Sequence, residues 1–248
     1  MSASDRKRKG RATGAPDSSG HASAAAGKTP AAAESVRSRL FLIAGPEAGG
    51  ADSNGLEEAL AGGDVAAVLI LPGDEDEAQF QHRAEALVRV AQAAGAAAVI
   101  AGDSRTAGRA RADGIHVAVG DEDFATVLES FHPDRIVGAG GIRERHDAMQ
   151  AAEQGADYVF FGRLDLVPED EAHPKTLALA EWWAAVFEVP CVALAGAALA
   201  SVTEIALTGA DFVAVRQAVW SYPGGPRAAV AEANRLIDEA FASADGLR

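Results

Sequence analysis

A short phrase recurs along this chain and narrows its fold more than any other feature. It reads Ala112-Asp113-Gly114-Ile115-His116-Val117. It returns as Gly155-Ala156-Asp157-Tyr158-Val159-Phe160-Phe161-Gly162, and again as Gly209-Ala210-Asp211-Phe212-Val213-Ala214-Val215. Each copy follows an alanine-rich helical run and opens a short apolar run. A glycine or small residue stops the helix, the aspartate turns the chain, and a strand apolar on both faces begins. A strand without a polar face has to be covered on both sides, which implies a parallel sheet with helices packed against it.

The regular alternation starts at residue 39. Strands are expected at 40–44, 65–71, 97–101, 114–117, 135–138, 158–161, 191–194 and 212–215. Helical runs follow them at 54–61, 77–94, 104–111, 124–130, 144–154, 176–187, 199–208 and 227–242. That count closes a (β/α)8 TIM barrel. An open nucleotide-binding sheet is a poor fit, because Ala44-Gly45-Pro46-Glu47-Ala48-Gly49-Gly50 after the first strand has the wrong glycine spacing and a proline. The chain has 248 residues, 48% of them apolar, enough for one such barrel. The expected organisation is a disordered, low-complexity extension over 1–38 and an α/β domain over 39–248.

Charge divides the same way. Residues 1–39 carry 8 basic and 3 acidic side chains, leaving 14 basic and 33 acidic for the rest. A body that acidic repels nucleic acid, so nucleic acid is not an expected partner. No apolar run is long enough to span a bilayer, and the start lacks the apolar stretch of a secretory signal. Cys191 is the only cysteine, which leaves no intramolecular disulfide and no cysteine metal cluster. The expected compartment is the cytoplasm. Homo-oligomer formation stays open: Trp182, Trp183, Phe187 and Trp220 either line a subunit contact or pack outside the barrel.

In a TIM barrel the chemistry sits in the loops after the strands. At those loops the chain resembles the thiamine phosphate synthase and thiazole tautomerase family. Four phrases carry the resemblance in order. They are Ala112 to Val117 followed by Gly120-Asp121-Glu122-Asp123, then Gly155 to Gly162, then Val189-Pro190-Cys191-Val192-Ala193-Leu194-Ala195-Gly196, and last Gly209 to Ala218. The resemblance implies joining a thiazole phosphate to a pyrimidine pyrophosphate in thiamine biosynthesis, with Mg²⁺ and cations on the leaving group. It implies phosphorylated small molecules as ligands.

Carried over residue by residue, the resemblance places a substrate phosphate on the backbone around Gly196 and Arg216-Gln217-Ala218. It places Lys175 and Arg105 at the leaving group, and Asp103, Asp121 and Asp123 at the metal. The chain also departs from the family. After the second strand the family's cations are replaced by Asp74-Glu75-Asp76, and after the fifth its hydroxylated phrase is Gly138-Ala139-Gly140-Gly141-Ile142-Arg143. A non-synthase, phosphate-binding member is therefore the alternative. The carboxylates after the second strand predict that a phosphomonoester binds better than free pyrophosphate. The glycines after the fifth either present backbone to an anion or make a tight turn opening the fifth helix.

Overall fold

The computed structural model describes residues 36–46, 52–120, 124–166 and 169–246. Eight parallel strands close a barrel in sequence order. They are β1 (Arg39–Ala44), β2 (Val65–Ile70), β3 (Ala97–Ala101), β4 (Gly114–Ala118), β5 (Ile136–Gly140), β6 (Tyr158–Phe161), β7 (Cys191–Leu194) and β8 (Phe212–Val215). The helices between them are α1 (Ser53–Leu60), α2 (Glu77–Ala93), α3 (Ser104–Ala110), α4 (Phe124–Phe131), α5 (Arg145–Gln154), α6 (Pro174–Val186) and α7 (Ser201–Leu207). After β8 come a short α8 (Gln217–Trp220) and a closing α9 (Gly225–Asp245). The expected TIM barrel is present, with α8 as an added turn of helix. No helix among the described residues is long and apolar enough to cross a membrane.

The period of two along each strand sorts its side chains into two cores. Phe41, Ile43, Leu69, Val99, Phe160 and Val192 fill the barrel interior. Leu40, Leu42, Val68, Ile100, Val159 and Val213 face the helices. Strand β7 divides as its alternation requires, with Val192 and Leu194 inward and Cys191 and Ala193 outward. The tryptophans pack outside the barrel. Trp183 is fully buried, stacks on Phe187 at 4.0 Å and donates Nε1–H to the Val189 carbonyl at 2.7 Å. Trp220 donates to the Ile43 carbonyl, also at 2.7 Å.

The recurring aspartates sit at the amino-terminal rim, and each clips a neighbouring strand. Asp113 Oδ2 accepts the Ala98 amide at 2.7 Å, Asp157 Oδ2 the Val137 amide at 2.7 Å, and Asp211 Oδ2 the Cys191 amide at 2.8 Å. In every case the strand clipped is the one preceding the aspartate's own, at or next to its first residue. A parallel strand's first amide has no ladder partner guaranteed, and the carboxylate supplies one. The packed body also begins before the expected boundary. Arg37 Nε donates to Asp238 Oδ1, and the buried Ser38 hydroxyl donates to the Ala210 carbonyl at 2.6 Å.

Strand β5 runs past its expected end at 138 to Gly140. Gly138 and Gly140 stay extended and face inward beside two rings. A Cβ on Gly138 would lie 2.0 Å from the Tyr158 ring, and one on Gly140 would lie 2.2 Å from His116 Nε2. These glycines are gaps that admit aromatic side chains from the two neighbouring strands, β4 and β6.

Candidate functional site

Beneath the barrel mouth lies that pair of rings, of which His116, with Phe160, reaches the cavity above. His116 Nδ1 and Tyr158 Oη share a hydrogen bond of 2.9 Å, and both side chains are buried. The two rings are nearly parallel, 5.8 Å apart, while Phe160 meets His116 edge-on at 5.3 Å. Burial without a compensating charge pushes His116 down to about 4. Burial, with Asp157 adding to it, pushes Tyr158 well above the usual phenol range. At neutral pH the floor is an uncharged, hydrogen-bonded couple. Above it lies a cavity of about 350 Å³ lined by His116, Phe160, Gly140, Arg143, Arg163 and Asp165, among others.

The rim is charged. A second cavity of about 400 Å³ adjoins the first and shares Arg143, Gly162 and Arg163 with it. Lys175, His173, Leu194 and Gly196 line its far side. Three cations of the upper loops are paired with carboxylates. Lys175 Nζ donates to Glu144 Oε1 at 2.8 Å. Arg163 donates from Nε and Nη2 to the two oxygens of Asp165 at 2.7 and 2.5 Å. Arg83, reaching up from α2, donates Nε–H to Glu75 Oε2 at 3.1 Å and Nη2–H to the Leu71 carbonyl at 2.8 Å.

The loop after β2 is therefore less repulsive than its sequence suggests. The Arg83 guanidinium holds the Glu75 carboxyl below the usual range, chiefly through its hydrogen bonds. Asp76 is the N-cap of α2, where it accepts the Gln79 amide at 2.9 Å while Gln79 Oε1 accepts the Asp76 amide. Two of the three carboxylates thus have local partners.

The expected phosphate cradle is already bonded on one side. The Gly196 amide donates to Ser201 Oγ at 2.9 Å. The Ala197 and Ala198 amides donate to the Glu169 and Asp170 carbonyls at 2.7 and 3.1 Å. The loop after β6 thus lies across the loop after β7, and a Cβ on Gly196 would sit 2.4 Å from the Asp170 and Glu171 carbonyl oxygens. On the other side Arg216, inward by the alternation of β8, donates Nη1–H to the Leu164 carbonyl at 2.8 Å. Gln217 and Ala218 open α8, whose first amides have no partner within the helix.

The remaining expected residues are placed as follows. Lys175 lies in the first turn of α6, with its amide bonded to the capping His173 at 3.1 Å. Arg105 is exposed in the first turn of α3. Asp103 caps that helix: Oδ1 accepts the Arg105 amide, and Oδ2 accepts the Thr106 amide and hydroxyl, at 2.6 to 3.0 Å. Burial raises its pKa and those hydrogen bonds lower it further, so the net shift is downward. Asp121 and Asp123 lie outside the described residues. No group of three or more His, Cys, Asp or Glu side chains fit to hold a metal occurs among the described residues. Asp103, with both oxygens committed to α3, does not make a Mg²⁺ site from the residues described.

Sequence reasoning passed over Arg143, Arg163 and the His116–Tyr158 couple. Arg163 had a legible signal, since it directly follows the glycine that closes β6. The couple had none, because its two members come from strands separated by β5.

Comparison with known proteins follows this geometry. The family described as thiamine monophosphate synthase matches residues 40–219. The chain is 36% identical over 209 residues to the thiamine-phosphate synthase of Hyphomonas neptunium, covering 82% of this chain and 95% of the relative. It is 37% identical over 203 residues to that of Rhodospirillum centenum, covering 80% and 97%. Among solved structures, a thiamine phosphate pyrophosphorylase from Pyrococcus furiosus superposes with a TM-score of 0.68 at 22% identity, over 82% of this chain and 97% of that one. Tryptophan synthase of Mycobacterium tuberculosis superposes at 0.60 and 17% identity, over 81% and 93%. Both speak to the fold.

Proposed function

Because this chain belongs to the thiamine monophosphate synthase family, we propose that it joins a thiazole phosphate to a pyrimidine pyrophosphate. The thiazole nitrogen forms a bond to the pyrimidine-bearing carbon, the bond from that carbon to the pyrophosphate oxygen breaks, and pyrophosphate leaves. The observation that carries the reading is a cavity with an uncharged aromatic floor and a rim on which Arg143, Arg163 and Lys175 stand among Glu144, Asp165, Glu169 and Glu171. A flat heteroaromatic ring suits the floor of Phe160 and His116. The rim suits phosphoryl groups, which lose charge-screening water as they enter and gain guanidinium and ammonium contacts.

Within that reading Lys175 serves the leaving group once it exchanges Glu144 for a phosphoryl oxygen. Arg105 is assigned the same role from the first turn of α3. The thiazole phosphate is assigned to Arg216 and the amides of Gln217 and Ala218, and Gly196 joins them once the loop after β6 moves off it. Mg²⁺ is expected as the companion of pyrophosphate, where it would offset the charge of the leaving group.

Pyrophosphate release from the two substrates tests the proposal. Wild type should turn over, and Lys175→Ala should slow kcat by about tenfold to a hundredfold, the range seen on removing one transition-state donor. A folded wild type that releases no pyrophosphate with both substrates present overturns the reading.

A further inference from the structure

We propose that Arg143 and Arg163 form an anion site between the loops after β5 and β6, fitted to a pyrophosphate and guarded by Asp165 as an internal competitor. The ligand class rests on the coupling reaction proposed above; the site rests on its own geometry. Both guanidinium-bearing residues line both cavities of the mouth. They follow neighbouring paired strands, so they converge on one corner. Gly140 and Gly162 present no side chain there, and the charged residues lining the first cavity are Arg143, Arg163 and Asp165.

Asp165 shows what the corner accepts. Its carboxylate takes both N–H groups of the Arg163 fork in parallel. That is the geometry in which a guanidinium also takes two oxygens of a phosphoryl group. Arg143 is near enough for its charge to act on the same carboxylate. One anion therefore already sits within the field of two arginines. Arg163 and Asp165 are both largely exposed, with 42% and 65% of their side-chain surface open to water, and an exposed pair of this kind is weakly held. A pyrophosphate brings more charge and more oxygens than Asp165 and reaches both guanidinium groups at once. On the opposite side of the mouth Arg83 is tied to Glu75 and the Leu71 carbonyl, so the cations for a leaving group are found at the β5–β6 corner.

The experiment is titration calorimetry of inorganic pyrophosphate into the full chain, with and without Mg²⁺, for wild type, Arg143→Gln, Arg163→Gln and Asp165→Asn. Each arginine variant should weaken binding by about tenfold or more, the value of a lost charge-assisted contact. Asp165→Asn should tighten it several-fold, because the competitor's charge is gone. Affinities for both arginine variants within about twofold of wild type, or no pyrophosphate binding by wild type, overturn the site. Pyrophosphate release is measured on the same samples. Turnover with arginine-independent binding removes the site and leaves the coupling reaction. Arginine-dependent binding without turnover removes the coupling reaction and leaves the site.

Discussion

The two rims of this barrel use carboxylates in opposite ways. At the amino-terminal rim Asp113, Asp157 and Asp211 each grip a backbone amide of the preceding strand. At the carboxyl-terminal rim Glu75, Glu144 and Asp165 each grip a side-chain cation. A backbone amide has no substitute acceptor once its carboxylate is removed, whereas a side-chain cation turns to water or to another anion. The lower rim holds the chain in place. The upper rim holds charge that a ligand can take over. Stability and ligand binding should therefore separate between the two rims.

The largest effect on stability is expected at the floor between them. His116 is held neutral and low, at about 4, against an ordinary value of 6.5. Between those pH values the unfolded chain binds a proton that the folded chain lacks, so stability falls as pH drops from 6.5 towards 4 and levels off below. Each unit in that window is worth about 1.4 kcal/mol, about 3 kcal/mol over its whole width. Urea unfolding at pH 7, 5.5 and 4.5 should show His116→Gln losing less than wild type over that range. Parallel declines would take the imidazole out of the account.

A smaller loss is expected at the lower rim. Asp211→Ala leaves the Cys191 amide without its carboxylate, which should cost about 1–3 kcal/mol in denaturant unfolding. Because Asp211 is at the far end from the mouth, pyrophosphate affinity of the folded variant should stay within about twofold of wild type. A loss of affinity matching the loss of stability would mean that the two rims are one unit.

The smallest effect is expected at the upper rim. Asp165→Asn removes an exposed pair, and the melting temperature should move by no more than about 1 °C while pyrophosphate binding tightens. A drop of several degrees would place Asp165 with the structural carboxylates below.

Most of the barrel was legible because a doubly covered strand leaves few choices for its residues. The repeated aspartate phrase located β4, β6 and β8, whereas which face of β7 turns inward, Val192 or Cys191, is read from the packing alone. Strand β5 was shortened in the reading because glycine usually marks a turn, and only its neighbours across the sheet show that Gly138 and Gly140 make room for Tyr158 and His116. The site was less legible for the same kind of reason. Whether Glu75 repels a ligand depends on Arg83, which a turn of helix brings back over it. Whether Gly196 offers its amide depends on Ser201. Neither partnership follows from the loop's own composition.

The aspartate clips also act as a check on alignment. A parallel strand that slips by one residue against its neighbour still makes backbone hydrogen bonds, but it exchanges the side chains of its two faces. In β6 such a slip would trade Phe160 for Phe161 inside the barrel, and both are bulky and apolar, so packing alone discriminates poorly. The carboxylate of Asp157 does better. It reaches the Val137 amide only when β5 and β6 are aligned as they are, and a slipped pair would strand a charge beside an unmet donor. Each helix that hands over to an aspartate-led strand thus brings its own register pin against the strand before it, fixed by residues close in sequence, before the ring of strands has closed.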